Sequence, residues 1–179
     1  MTVTFRKASL NDLPVLVNLI NCAYRNDGAN SWSNEKQIVS GQRITLEQLK
    51  DGLKQSNFEL WVMASHLPNV EIQGCIGLTL KGTSAEIGTF CIDPQLQNTG
   101  LGRQLLAFAE KYLNQYHAEV QTLEMDVLSV RPELIEFYER CGYFKTGKIT
   151  PYPVNANVGQ PLVNLHLIHL HKFNENDKK

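Results

Sequence analysis

The first third of the chain carries one strand-like pattern and two helical ones. Residues 3–8 alternate apolar and polar side chains, as a half-buried strand does. Ser9 can cap a helix, because apolar side chains then recur at helical spacing. Thr45-Leu46-Glu47-Gln48 fits a capping box that opens a shorter helix, ending near Gln55. Residues 26–44, between the helices, are polar and irregular, and connections of this length are usually functional or mobile. The apolar positions of the first helix are Leu13, Leu16, Ile20 and Ala23.

Three strand patterns and a long helix follow in the middle of the chain. Residues 58–65, 72–81 and 85–92 are apolar runs, and Pro68-Asn69 marks the turn between the first two. Gly88, inside the third run, suggests a bulge or a close backbone approach. Residues 100–116 then follow the spacing of an amphipathic helix. Its apolar ridge consists of Leu101, Leu105, Phe108 and Tyr112, with Ala109 and Leu113 beside it.

The last third predicts a strand, a helix and two more strands. Residues 122–128 form the strand, Pro132 suits the first position of the helix, and Gly142 ends it. Strands at 143–148 and 163–173 follow, joined by a loop rich in proline, asparagine and glycine. Early hairpins with a later strand–helix–strand–helix unit predict an α/β or α+β fold. One face of the helix carries Leu134, Ile135, Tyr138 and Cys141.

Composition limits the class of protein. A chain of 179 residues predicts a single domain, residues 1–174, followed by a polar tail at 175–179. The formal net charge of −1 gives no electrostatic footprint for a nucleic-acid or membrane partner. No secretory signal and no long apolar span is evident. The four cysteines form no Cys-x-x-Cys pair, so buried, reduced thiols and a cytoplasmic protein are predicted.

The loop before the long helix is suited to hold a phosphate. Gln97-Asn98-Thr99-Gly100-Leu101-Gly102 lies where unpaired N–H groups and the positive end of the helix dipole favour an anion. Its glycines let backbone and ligand approach closely. Arg103-Gln104 stands where a Walker A loop needs Lys-Ser/Thr. A dinucleotide fingerprint is disfavoured as well, because its third glycine is missing and residues 93–99 separate the strand from Gly100.

Two segments together resemble the signatures of GCN5-related N-acetyltransferases, the GNAT superfamily. Ile92-Asp93-Pro94-Gln95-Leu96-Gln97-Asn98-Thr99-Gly100-Leu101-Gly102 resembles the family's acetyl-CoA motif, Arg/Gln-x-x-Gly-x-Gly/Ala. Ile135-Glu136-Phe137-Tyr138-Glu139-Arg140-Cys141-Gly142-Tyr143 resembles its second signature, Phe-Tyr-Glu-x-x-Gly-Phe/Tyr. One helix and one strand separate the two, as in the family. The resemblance covers about residues 3–173.

This resemblance implies a fold and a cosubstrate. The fold is the acyl-CoA N-acyltransferase fold, a central mixed and mostly antiparallel sheet with helices on both faces. Its two parallel strands, here 85–92 and 122–128, splay apart around the pantetheine arm of acetyl-CoA, and a bulge at Gly88 helps to open them. No metal is implied. The resemblance assigns acetyl-CoA binding to Cys91, Ile92, Gln97, Asn98, Thr99, Gly100, Leu101, Gly102, Arg103 and Tyr138.

The resemblance also implies direct transfer of the acetyl group to an amine, without a covalent enzyme intermediate. Tyr138, at the signature tyrosine, is the predicted general acid for the CoA sulfur. Glu86, eleven residues before Gln97, is the predicted general base, acting directly or through water. A backbone N–H at Ile92 is placed to hold the thioester carbonyl. The alternative is a non-catalytic CoA-binding or interaction module on the same fold.

The acceptor is much less defined. A small amine or amino-acid-like molecule is expected, with a peptide as an alternative, and the protein is expected to be a monomer or homodimer. The loops 26–44 and 148–162 should bound its site, with Trp32, Glu35, Arg43, Tyr152 and Asn155 as candidate lining.

Other residues with potential chemistry stay open at this stage. Arg131 stands where the family often has asparagine; it could reach a CoA phosphate, although a solvated side chain is more typical. His169 and His171 share a strand face and could form a metal pair, but no third ligand is evident, and His166 lies on the same strand. Cys91 is more typical of packing than of covalent catalysis.

Overall fold

A seven-stranded sheet with helices on both faces forms the centre of the fold. The structure is a computed structural model, and it describes residues 3–25, 34–65 and 71–174. The strands are β1 (Val3–Lys7), β2 (Val39–Ser40), β3 (Phe58–Ser65), β4 (Ile72–Lys81), β5 (Ser84–Ile92), β6 (Thr122–Leu128), β7 (Phe144–Pro151), β8 (Gln160–Pro161) and β9 (His166–Phe173). The α-helices are α1 (Leu13–Arg25), α2 (Leu46–Gly52), α3 (Leu101–Tyr116) and α4 (Pro132–Arg140).

The sheet is mixed, as predicted. Its strand order is β1-β3-β4-β5-β6-β9-β7, with β5 and β6 parallel and the other neighbours antiparallel. A hydrophobic core lies between the sheet and the helices on each face. The helices α1 and α2 cover one face of the sheet, and α3 and α4 cover the other. No helix in the described residues is long and apolar enough to span a membrane.

Most predicted elements are confirmed, and the differences lie at their ends. The capping box forms, since Thr45 Oγ1 accepts from the Gln48 N–H and Gln48 Oε1 from the Thr45 N–H, although α2 already ends at Gly52. Ser9 precedes a short 3-10 turn that leads into α1, and its hydroxyl donates to the Asp12 carboxylate instead of accepting from a backbone N–H. The two-residue strands β2 and β8 pair with each other and were missed, because so short a strand has no periodicity. The predicted turn at Pro68-Asn69 lies outside the described residues.

The predicted opening between the parallel strands is present. The β5–β6 ladder contains only three pairs, from Ser84 with Thr122 to Glu86 with Glu124. Beyond them the register of β5 against β4 shifts, and Thr89 adopts a positive φ of 46°. The bulge predicted at Gly88 therefore exists, centred on the following residue. A Cβ at Gly88 would contact nothing, so close approach is not the reason for that glycine.

The thiols are all free, and two are less buried than predicted. Cys75 and Cys91 are buried with their sulfurs 3.6 Å apart, whereas Cys22 and Cys141 are only partly buried. The contact with Cys91, and after it burial, raises the pKa of the Cys75 thiol. Cys91 thus packs its side chain into the core under α1, as the packing interpretation predicted.

Candidate active site

Two cavities meet in the gap between β5 and β6. The larger, about 490 Å³, lies beside the loop that precedes α3. The smaller, about 290 Å³, lies between β5, β6 and the segments around residues 35–43 and 152–158. Four residues line both: Tyr24, Phe90, Leu134 and Tyr138. As far as the described residues line the two cavities, ligands in them would meet at this junction.

The larger cavity collects most of the predicted cosubstrate-binding residues. Thr99 and Leu101 are exceptions: Thr99 Oγ1 donates to the Leu96 carbonyl and Leu101 is buried in the core. Gln97 Nε2 donates to the Ile92 carbonyl, which ties the loop to the end of β5. Phe137 and Arg140 of α4 complete the opposite wall. The predicted residues that line it are Cys91, Ile92, Gln97, Asn98, Gly100, Gly102, Arg103 and Tyr138.

The two glycines of the loop have different local reasons. Gly100 has φ +85°, a conformation that strains any residue with a Cβ, and it forms the N-terminal boundary of α3. Gly102 is helical, and a Cβ there would only make ordinary contacts with Ile92 and Phe90. Nothing in the protein therefore requires glycine at position 102, but a side chain there would occupy the cavity.

Tyr138 lies at the junction with its ring in an apolar setting. It projects from α4 toward Phe90, Phe137 and Tyr143, whose ring centroids are 5.2–6.4 Å away. Burial raises the pKa of Tyr138 well above its usual range, and the nearby positive charge of Arg131 opposes this only in part. The phenol is thus protonated at any pH at which a protein usually works.

Tyr24 is a site residue that the sequence analysis missed. Its hydroxyl donates a 2.7 Å hydrogen bond to the carbonyl of Phe90, the residue next to the bulge. Burial raises the pKa of Tyr24 as well. It follows Ile20 by four residues and so continues the apolar stripe of α1. No signal in the sequence separates it from a core tyrosine.

Glu86 lines the smaller cavity at the end where the strands still pair. Its carboxylate forms an ion pair with Lys81, whose pKa it raises. Four residues of strand, about 13 Å at 3.3 Å each, separate Glu86 from Phe90 at the junction. Glu86 therefore does not reach the same point as Tyr138 directly, and a water chain would have to connect them.

The remaining walls of the smaller cavity come from distant segments. Glu35, Arg43 and Tyr152 line it, as predicted. Asn155 is exposed on a short 3-10 turn and is not part of the lining, and Trp32 lies outside the described residues. Glu35 is 8% exposed and pairs with Arg25, which also donates to the carbonyls of Gly41 and Val158.

Arg131 is buried, so the expectation of a solvated side chain is wrong. It is 5% exposed, pairs with Glu133 and donates to the Asn34 carbonyl at 3.1 Å. The start of α4 is thereby attached to the segment that enters the acceptor side. A polar residue at the start of a helix gave no sign of this long-range contact.

His169 and His171 of β9 contact neighbouring protein side chains. His169 Nδ1 lies 3.1 Å from Asp126, and His171 packs edge-on against Phe144. Among the residues that the structure describes, no group of three or more histidine, cysteine, aspartate or glutamate side chains could hold a metal ion.

Comparisons with known proteins agree with this geometry. The family model "Acetyltransferase (GNAT) domain" matches residues 25–151. A comparison with curated protein sequences gave no significant match. The ribosomal-protein-S18-alanine N-acetyltransferase of Escherichia coli has a similar structure at 16% identity, TM-score 0.68, covering 97% of this chain and 94% of that one.

Two further similar structures hold ligands. The spermidine N-acetyltransferase of Vibrio cholerae, solved with CoA and spermine, is 18% identical with TM-score 0.68, covering 97% of this chain and 96% of that one. A GNAT family acetyltransferase of Elizabethkingia anophelis with acetyl-CoA bound is 18% identical with TM-score 0.69, covering 96% and 97%. At these identities the structures speak for the fold alone. Since the family model matches well over half of the sequence, the chain belongs to the GNAT acetyltransferase family.

Proposed function

We propose that this protein transfers the acetyl group of acetyl-CoA to a primary amine by direct attack. One observation carries the proposal: two cavities, one beside the phosphate loop and one beside Glu86, meet at a junction that includes Tyr138, a half-buried tyrosine whose raised pKa keeps it protonated. A two-substrate transfer needs this arrangement, since donor and acceptor must meet in one orientation.

The larger cavity fits acetyl-CoA. The open space at Gly100, the absence of a side chain at Gly102 and the N–H groups from Asn98 to Arg103 suit a pyrophosphate. Past Glu86, β5 has no partner strand on the β6 side, so backbone groups at Cys91 and Ile92 are available to the pantetheine amides as an added strand would use them. The Ile92 N–H is the candidate donor to the thioester carbonyl.

The chemistry follows from this placement. The neutral amine attacks the thioester carbon, a C–N bond forms, the C–S bond breaks, and the amine loses one proton while the sulfur gains one. Tyr138 donates that proton to the sulfur, and the resulting phenolate is reprotonated from solvent. The apolar surroundings that keep the Tyr138 phenol protonated also disfavour a bare CoA thiolate. The pKa of the phenol and the pKa of the thiol therefore rise together. Glu86, through water, or bulk solvent then receives the proton of the amine.

The alternative, a non-catalytic CoA-binding module, needs only the larger cavity. The second cavity and its contact with Tyr138 favour the enzyme. Neighbouring structures named for spermidine and for a ribosomal protein fit an acceptor that is a small amine or a peptide.

The test has two steps, binding and turnover. Acetyl-CoA should stabilise the protein in a thermal-shift assay, and CoA thiol should be released with at least one of a broad panel of primary amines. Gly102→Val should abolish the stabilisation without unfolding the protein. Gln104→Val, which adds the same side chain at an exposed position of the same turn, should leave it intact. Stabilisation without release for any amine would favour the binding module, and no stabilisation would overturn both functions.

A further inference from the structure

The guanidinium of Arg43 has no hydrogen-bond partner among the residues that the structure describes. The side chain is partly buried in the wall of the smaller cavity, with its Cζ 5.3 Å from the centre of the Tyr24 ring. Within residues 3–25, 34–65 and 71–174, no hydrogen bond or ion pair involves this guanidinium. Its N–H donors therefore point into a space that a ligand could share.

The position of Arg43 is fixed rather than incidental. The Asn21 side chain accepts from the Arg43 N–H at 2.8 Å and donates to the carbonyls of Val17 and Ile44. The segment at 43–44 is thus attached to α1, and the Tyr24 ring supports the guanidinium from one side. Such a preorganised arginine loses little conformational entropy when it binds an anion.

Every other charged side chain in the described lining of this cavity has a partner. Glu35 pairs with Arg25, Glu86 with Lys81, and Asp126 with His169. Arg43 is thus the charged side chain of the described lining that has no hydrogen-bond or ion-pair partner, and its charge is positive. A partly desolvated cation without an anion is unfavourable, and an anion supplied by the ligand would correct this.

We infer that the acceptor carries a carboxylate that Arg43 binds, so that the substrate class is a small amino acid rather than a simple amine or polyamine. This inference rests on the proposed function. The planar fork of a guanidinium matches a carboxylate with two parallel hydrogen bonds. The Arg43 guanidinium and the Phe90 carbonyl at the junction both contact the Tyr24 side chain, the first at its ring and the second at its hydroxyl. The amine and the carboxylate of the acceptor must therefore be only a few bonds apart.

The first experiment measures binding and does not depend on turnover. CoA-saturated protein is titrated calorimetrically with L-amino acids and with the matching amino acid amides, which keep the amine and lose the charge. At least one acid should bind 10- to 100-fold more tightly than its amide, as charge-assisted hydrogen bonds predict. Arg43→Gln should remove this difference. Lys50→Gln removes an exposed positive charge on the neighbouring helix and should preserve it.

The second experiment measures acetyl transfer with the same pairs. Arg43→Gln should lower kcat/KM for the acids about 10- to 100-fold and leave it unchanged for the amides. The inference is overturned if no acid binds better than its amide, if polyamines are preferred, or if Arg43→Gln weakens acids and amides equally. Acid-selective binding without any thiol release would instead refute the proposed function and leave the Arg43 site standing.

Discussion

The proposed donor side and the proposed acceptor side of the cleft are built in different ways. The donor side comes mainly from one continuous stretch, from Phe90 at the end of β5 to Arg103 in the first turn of α3. The acceptor side combines the end of α1, residues 35–43 and residues 152–158, joined by contacts such as the one from Arg25 to Val158, 133 positions apart. Because the donor side depends mainly on one segment, its motif can stay the same while the rest of the chain changes. The acceptor side depends on several segments, so a substitution in any one of them can change which ligand binds.

The junction gives the largest expected effect. Tyr138→Phe removes the proposed acid and should lower kcat by about 10²- to 10⁴-fold. Acetyl-CoA affinity, measured by calorimetry, should stay within about twofold, because the ring still packs against Phe90 and Phe137. Tyr116→Phe, at an exposed tyrosine of α3, is the matched control. A normal kcat in Tyr138→Phe would remove the acid from the mechanism.

The raised pKa of Tyr138 also predicts a pH profile. An acid must be protonated to act, and burial moves the pKa of this phenol above its usual value of about 10. At pH values below about 10, the kcat of the wild-type protein should therefore not decrease through loss of this proton. An alkaline limb near pH 8–9 that disappears in Tyr138→Phe would contradict the direction of this shift.

The acceptor side depends on a buried ion pair, and breaking it should cost the most stability. Arg25→Met leaves the Glu35 carboxylate buried without its partner and frees the carbonyls of Gly41 and Val158. We expect the free energy of unfolding to fall by about 3–5 kcal/mol in urea denaturation. Arg25→Met/Glu35→Leu should recover most of this loss, because no unpaired charge remains.

The same variant tests whether the two sides are independent. In native buffer, Arg25→Met should raise the KM for the acceptor and leave the Kd for acetyl-CoA unchanged. Equal losses for both ligands would mean that the ion pair supports the whole cleft, and the contrast between a local and an assembled side would not hold.

The sequence predicted the elements around the phosphate loop because their determinants are local. Helix spacing and the bulge beside Gly88 each depend on a few neighbouring residues, and the structure contains both, whereas the positive φ of Gly100 was not predicted. The acceptor side was predicted only in part. Glu35, Arg43 and Tyr152 do line its cavity, but they were chosen as members of polar loops rather than from any pattern.

What the sequence could not reveal are contacts between distant segments. The β2–β8 pairing is two residues long and joins positions about 120 apart, as the Ser40–Gln160 hydrogen bond does. Arg131 gave no sign that it would reach Asn34, and nothing in the sequence marked Tyr24 as the partner of the Phe90 carbonyl. Such contacts depend on where the fold brings the chain, because no residue type or spacing specifies them in advance.

A comparison of Gly100 with Gly82 tests whether Gly100 contributes to acetyl-CoA binding as well as to stability. Gly100 and Gly82 both have positive φ, and a Cβ at either would meet no other atom within 4 Å. Gly100→Ala and Gly82→Ala should each lower stability by about 1–2 kcal/mol, because a left-handed residue with a Cβ is strained. Only Gly100→Ala should weaken acetyl-CoA binding in calorimetry. Equal affinity in the two variants would show that the conformation of Gly100 does not serve the donor.

The smallest expected effect comes from the removal of single hydroxyl groups. It distinguishes Tyr24, which lines both cavities, from Tyr152, which lines the smaller cavity. Tyr24→Phe and Tyr152→Phe each remove a hydroxyl that donates to a backbone carbonyl, that of Phe90 at 2.7 Å and that of Val158 at 3.0 Å. Each loss should cost about 1 kcal/mol of stability in urea denaturation. Initial rates measured against each substrate in turn then separate their effects on the two sides.

Tyr24→Phe should lower kcat/KM by about fivefold for both acetyl-CoA and the acceptor, because the Phe90 carbonyl belongs to the strand that both substrates contact. Tyr152→Phe should affect the acceptor alone. If Tyr24→Phe changed only the acceptor, the hydrogen bond to Phe90 would not set the geometry of the donor side. The pairing of β5 with β4 would then be enough to keep the shape of the bulge at Thr89. In that case α1 would belong to the acceptor wall only.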